Sequence, residues 1–193
     1  GGDYTCYTSG NDQTLHAEFQ DGSQSSFSMD GEQKIDRYSI YADQEHQLPQ
    51  TWTLGYGASY WFAKDRDFQT YGEVSGNIQT QNTNSSLEEQ TINFYVSLNK
   101  NYETGTSLSI SAIGEYYTIG NYHKWAIYPR ISFTYLKTPW HMFQFSLSTD
   151  KTYPGYWDMQ SSVSYLNGYT ELQGTPGLRP MTTYSPVSYT HLT

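Results

Sequence analysis

The 193-residue chain has a single cysteine, Cys6, so no disulfide framework or cysteine-based metal site can form within it. Charge is scarce: Asp, Glu, Lys and Arg together make up 15% of the residues, against about 25% in an average globular domain. Positive charge is scarcer still. Ten Lys and Arg against 19 Asp and Glu leave a net charge of −9, which argues against nucleic acid, whose binders carry basic patches. No stretch approaches the run of about 18 apolar residues that a transmembrane helix needs. No basic segment followed by an apolar run opens the chain, so no signal peptide is visible. The first residues are Gly1-Gly2-Asp3 without Met, the start expected of a processed form or a fragment.

Catalytic and metal-binding patterns are missing too. His16, His46, His123, His141 and His191 show no ligand spacing. No Gly-x-Ser-x-Gly occurs at a strand-to-helix turn. The acidic groups Asp65-Arg66-Asp67 and Glu88-Glu89 match neither a calcium loop nor a spaced pair of glycosidase carboxylates; they read as solvated loop residues. No enzyme activity, metal or cofactor is expected.

What is present is aromatic and uncharged polar. Aromatic residues make up 17% of the chain, 20 of them Tyr, and mean hydropathy is −0.72. Disordered acidic chains have few aromatics and dense charge. Tyr, Trp and Thr mixed with Ser, Gln and Asn is strand composition. Helical periodicity is nearly absent, and period-2 alternation is frequent. Thr51–Phe62 places Trp52, Leu54, Tyr56, Ala58, Tyr60 and Phe62 on one face, opposite Thr, Gly and Ser. Thr91–Leu98 sets Ile92, Phe94, Val96 and Leu98 against Asn93 and Ser97. Thr106–Tyr116 sets Leu108, Ile110 and Ala112 against Ser107, Ser109 and Glu115. Lys124–Tyr135 sets Trp125, Ile127, Ile131 and Phe133 against Arg130 and Thr134. His141–Thr149 sets Phe143, Phe145 and Leu147 against Gln144 and Ser146. Asp36–His46 and Thr14–Phe19 alternate more weakly.

These runs are roughly 9–12 residues long. Soluble strands average about 5–6 residues, whereas a tilted strand crossing a bilayer takes about 9–11. The connections alternate in length. Short ones fall at 47–50, 99–103 and 136–139; long polar ones are expected at 21–34, 63–90 and 150–184, with a shorter member at 117–122. Membrane barrels have this asymmetry. Trp52, Tyr60, Trp61, Tyr116, Tyr117, Trp125, Tyr135 and Trp140 sit near strand ends, where they are expected to form the aromatic girdles of such a barrel.

From Tyr38 to Pro180 the sequence resembles the barrel region of TonB-dependent outer-membrane receptors of the outer-membrane protein β-barrel family. RYSIYADQEHQLPQTWTLGYGASY (37–60) and YPRISFTYLKTPWHMFQFSLSTD (128–150) resemble that family's units of strand, short turn and strand. YPGYWD (153–158) and GTPGLRP (174–180) resemble its loop pair, usually written RPSYWDLNP and GNPNLKPE. Gly155, Thr175 and Met181 depart from the usual Ser, Asn and acidic residue.

The resemblance implies an all-β fold, an antiparallel up-and-down meander of seven or eight strands forming an open segment of a large transmembrane barrel. Residues 1–184 are expected to be a partial barrel domain. Residues 185–193, SPVSYTHLT, resemble translated sequencing-adapter read-through and are set apart as a non-native tail. A complete receptor of about 22 strands with a plugged lumen needs a much longer chain. Expected partners are outer-membrane lipid of a Gram-negative cell, an unidentified nutrient ligand, and a plug domain with the TonB complex acting through the parent protein. Lipid-facing residues are expected to be Leu54, Tyr56, Phe94, Val96, Ile110, Phe133 and Phe145. Lumen-facing residues are expected to be Asn93, Thr134 and Gln144. Tyr153, Tyr156, Trp157, Asp158, Gly174, Pro176 and Arg179 are expected in the extracellular loops, with Tyr156 and Trp157 packing the loop against the rim or, as the lesser alternative, stacking on a ligand. Two alternatives compete: a small standalone outer-membrane barrel acting as an adhesin or structural protein, and a soluble all-β carbohydrate-binding module, which the long strands oppose.

Overall fold

A computed structural model of the chain describes residues 1–72, 82–103, 105–138, 141–159, 163–167, 170–175 and 177–192. Eight strands form one antiparallel sheet in the order β1-β2-β3-β4-β5-β6-β7-β10. They are β1 (Gly2–Glu18), β2 (Gln24–Leu48), β3 (Trp52–Tyr71), β4 (Thr83–Asn101), β5 (Ser107–Ile119), β6 (Tyr122–Thr138), β7 (His141–Thr152) and β10 (Met181–Leu192). Between β7 and β10 lie a one-turn helix, α1 (Tyr156–Met159), and a hairpin of β8 (Val163–Asn167) and β9 (Thr170–Gln173). Among the described residues β1 and β10 are the two unpaired edges, so the meander is an open sheet of eight strands.

The short turns lie where the alternation runs end. Pro49 fixes φ at the first, and Gln50 and Thr51 then take left-handed conformations (φ 62° each). Thr51 Oγ1 donates to the Asn101 carbonyl at 3.1 Å, tying this turn to the end of β4. Gly105, at φ 80°, permits the next turn.

The long connections are shorter than expected, because the strands continue into them. The β1–β2 connection is only the turn between Glu18 and Gln24, and 24–34 is strand. β3 runs on to Tyr71 and β4 begins at Thr83. At about 3.4 Å per residue, the 25 residues of β2 run roughly 80 Å. Even tilted, such a strand stands far taller than the apolar belt of about 25 Å that a barrel shows to lipid. These upper halves mix charged and amide side chains with scattered apolar ones such as Phe27, Met29 and Phe68, so hydropathy alone does not mark them as strand. Backbone pairing holds them: β1 matches β2 from Gly2↔Ile40 to Glu18↔Gln24 without a break.

Pro129 lies inside β6. Its missing N–H is tolerated because the β6–β7 ladder stops just before it, at Ile131↔Leu147. The Pro129 carbonyl accepts instead from Thr149 Oγ1 at 2.6 Å. Residues 185–192, expected to stand apart from the domain, pair with β7 from Ser185↔Ser148 to Leu192↔His141.

Candidate functional site

Cross-strand register sorts the side chains onto two faces. On one face, Leu54, Leu98, Ile110 and Ile131 form a row across four strands, and Leu147 continues it. Tyr56, Val96 and Ala112 form the next row, and Ala58, Phe94, Gly114 and Ile127 the one above. Ile40, Tyr60, Ile92, Tyr116 and Trp125 close the series as an aromatic-rich row. This face is apolar and uncovered: Phe94 is 55% exposed and Ile127 69%. All seven residues expected to face lipid lie on it. Phe133 sits directly opposite Phe145, and Leu108 continues their row.

The apolar band has sharp borders. At the turn end, Trp52 shares a row with Lys100, whose ammonium lies 4.9 Å from the Trp52 ring and 4.7 Å from the Tyr102 ring. At the other end, the row of Tyr38 and Phe62 gives way to Asp36 and Lys64. There Lys64 donates to Glu88 at 2.6 Å, and Arg66 pairs with Asp36 at 3.3 Å. Trp52 to Phe62 spans the length of one transmembrane strand. Two expected girdle residues are not part of this face. Trp61 and Tyr117 share a row on the other face, where Arg37 stacks on the Trp61 ring at 4.7 Å and Tyr117 is buried. Each is one residue from a true girdle member, and a one-residue step reverses the face. Trp140 lies outside the described residues.

The opposite face is polar. At the level of the apolar band it carries small residues: Gly55, Gly57 and Ser59 on β3, Ser97 on β4, Ser109 and Ser111 on β5. A Cβ on Gly57 would come within 2.5 Å of the Tyr95 ring and 2.6 Å of the Ala42 carbonyl. Tyr95 therefore lies over a bare glycine backbone, a known way to fill the gap a strand glycine leaves. Asn93, Thr134 and Gln144 are all on this face. Asn93 donates to Ser59 at 3.3 Å; Thr134 and Gln144 are direct cross-strand neighbours, several rows away.

Above the band the polar face becomes buried and acidic. Along β3, Ala63, Asp65, Asp67 and Gln69 are all buried at alternate positions. Glu89 on β4 is buried beside Ala63, and Glu115 on β5, two rows lower in line with Ser59 and Asn93, is buried to 1% exposure. Burial holds the Asp67 carboxyl up to about 6, and the nearby Asp65 carboxylate adds to this. Burial also raises Asp65, although the Gln33 amide donates to it at 3.0 Å.

The loop after β7 folds onto this acidic face. Glu115 accepts from Tyr128 at 3.2 Å and Tyr153 at 2.7 Å, and forms an ion pair with Lys151. Glu89 accepts from Tyr156 at 2.5 Å. Burial holds both loop phenols well above their ordinary value, and the Glu89 carboxylate adds to this for each. Tyr153 stacks on Tyr117 with centroids 4.7 Å apart, and Met159 completes a small core with Tyr117 and Ile119. The two loop motifs also meet: the Thr175 amide donates to the Asp158 carbonyl at 2.6 Å. Asp158 caps α1 from within, accepting from the Gly155 amide at 3.2 Å. Arg179 lies over the Tyr122 ring at 5.9 Å, and Gly174 precedes the contact residue Thr175. Pro176 and the Trp157 side chain lie outside what is described.

Sequence reasoning missed Glu89 and Glu115. Glu88-Glu89 reads as an acidic loop, yet it lies inside β4, with Glu88 paired outward and Glu89 buried inward. Glu115 carries a weak signal: it is the one charged residue in a polar register of Ser107, Ser109 and Ser111.

A soluble domain covers its apolar face; here that face is uncovered over the full height of a bilayer strand. A match to the outer membrane protein beta-barrel family covers residues 1–189. The chain belongs to that family. The outer membrane protein β-barrel family accounts for the up-and-down sheet and its inverted faces, and places the protein in the outer membrane. A search of curated proteins finds no match to the chain.

Proposed function

We propose that this chain is part of the wall of a TonB-dependent receptor that imports a nutrient across the outer membrane. The observation that carries this reading is the inverted pair of faces together with the loop docked on the acidic one. The apolar rows from Trp52 to Phe62 face lipid, and Asn93, Thr134 and Gln144 face a wet lumen. Tyr153, Tyr156 and Asp158 belong to an extracellular loop, held inward over the lumen by Glu89 and Glu115. The YPGYWD and GTPGLRP motifs, which resemble the loop pair of such receptors, support it.

The plug domain and the TonB complex act through the parent protein.

The test is uptake by cells expressing the whole reading frame that contains this chain. Uptake lost on deleting the TonB complex is the expected result. Refolding of the chain alone into a heat-modifiable, detergent-resistant monomer overturns the reading in favour of the small barrel.

A further inference from the structure

We infer that the cavity at the mouth of the inward face, between the β5–β6 turn and residues 177–179, binds a free medium-chain fatty acid, with Arg179 holding its carboxylate. Such binding needs no transport step, so it goes beyond the uptake reading. The cavity measures about 440 Å³ and is lined by Leu87, Ile119, Tyr122, Met159, Leu178 and Arg179 among others. That is within the size range of small-ligand pockets, about 300–1,000 Å³. Register and the docked loop build it. Glu89, Ile119 and Tyr122 share one inward row, and Leu87 follows Glu89 on the same face, opposite Asp65. Met159 closes the cavity from the loop side, packed against Ile119.

The lining divides by chemistry. Ile119 and Met159 are buried and form a floor, whereas Leu178 is 40% exposed and forms a wall that a ligand can reach. A Cβ on Gly177 would meet nothing within 4 Å, so the cavity is open on that side. The aliphatic and thioether side chains are flexible and adapt to an alkyl chain. The one ring in the lining, Tyr122, already has the Arg179 guanidinium 5.9 Å from its centre. Arg179 is exposed and forms no ion pair among the described residues, whereas Arg66 and Arg130 each have a carboxylate partner. On a chain of net charge −9, this leaves a guanidinium at the edge of an apolar cavity with its hydrogen-bond donors unclaimed. Its planar fork takes a carboxylate through two parallel hydrogen bonds. One cation matches one negative charge, which suits a carboxylate better than a phosphate dianion. The cavity lies above the apolar band and on the opposite face from it, out of reach of membrane acyl chains, so the ligand is a free acid.

The test is calorimetric titration of the protein expressed from its whole reading frame, in lipid nanodiscs, with hexanoate, octanoate, decanoate and decanol; empty nanodiscs give the background of partition into lipid. Decanoate is expected to bind with a Kd below about 1 mM. Affinity should rise with chain length, by up to about fourfold per methylene. Arg179→Gln should weaken decanoate about tenfold or more and leave decanol unchanged. Leu178→Ser should weaken both. Arg179→Glu should lose decanoate and bind decylamine instead. Strand content by circular dichroism should stay unchanged in all three variants. Decanoate binding no tighter than decanol, or unchanged in Arg179→Gln, overturns the inference in favour of partition into lipid. Tighter binding of 2-naphthoate or of decyl phosphate than of decanoate overturns it in favour of an aromatic acid or a phosphate ester. Decanoate binding without TonB-dependent uptake would break the transport reading alone; uptake without decanoate binding would break this one alone.

Discussion

The lower and upper halves of β3 share one backbone period and differ in what lies on each side. From Trp52 to Phe62 the outward face is apolar and uncovered, and the inward face is Thr53, Gly55, Gly57 and Ser59, ending in Trp61. From Ala63 to Tyr71 the outward face carries Lys64 and Arg66, and the inward face buries Asp65, Asp67 and Gln69. The pleat is constant, so the switch in side chains reports a change of surroundings. The outward face passes from apolar to charged within one row, between Phe62 and Lys64. The inward face passes from a small-residue wall to a buried, hydrogen-bonded acidic surface that holds a loop.

The largest expected effect is where the loop docks on the inward face. Glu115→Ala strips partners from Tyr128, Tyr153 and Lys151 together. Leaving a buried charge unpaired costs about 3–5 kcal/mol. Urea unfolding in lipid vesicles should show a loss on that scale, and protease should cut between Tyr153 and Met159 faster. Next comes a matched pair of outward substitutions. Val96→Arg, mid-band, should cost about 2–4 kcal/mol. Phe68→Arg, on the same face in the upper half, should stay within about 0.5 kcal/mol. Equal costs would remove the difference between the halves. Gly57→Leu forces a side chain into Tyr95 and the Ala42 carbonyl, and overpacking of this kind costs about 1–3 kcal/mol.

The smallest effect is a pH slope. The folded-state value of Asp67 lies near 6, above its ordinary 3.8. The folded chain therefore holds this proton more tightly than the unfolded one. Its contribution is full below about pH 4 and is lost as pH rises towards 6. Stability of the upper half should decline across that window. Asp67→Asn should flatten the decline, and the Asp65 carboxyl, also raised, should keep part of it.

The lower half was legible in the sequence because an apolar face on one side and a small, polar face on the other give strong contrast at period two. Tyr56, Phe94 and Ile110 alternate with Gly, Asn and Ser, so strands and short turns could be read directly. The upper half was not. Asp65-Arg66-Asp67 looks like a loop because both faces are polar, yet Arg66 pairs outward and the two Asp are buried inward. Alternation persisted there as a division of partners, which hydropathy does not record. Trp61 and Tyr117 were misassigned for a related reason: adjacent aromatics, Tyr60-Trp61 and Tyr116-Tyr117, share composition but point to opposite faces. The loop pair was recognisable only by its motifs. That Tyr153 and Tyr156 fold onto Glu115 and Glu89 depends on contacts 38 and 67 residues apart, which no local pattern encodes.

The most direct test of the inverted faces is a cysteine scan along β4 in lipid vesicles. Cys6 is first replaced by Ser, and a fluorophore is placed singly from Asn84 to Lys100. Quenching by brominated acyl chains should alternate with period two from Ile92 to Leu98, strong at even positions and weak at odd ones. It should vanish at Asn84, Ser86 and Glu88, which share the outward face above the band. Uniform quenching, or quenching strongest at Asn93, Tyr95 and Ser97, would contradict the assignment of lipid to the apolar face.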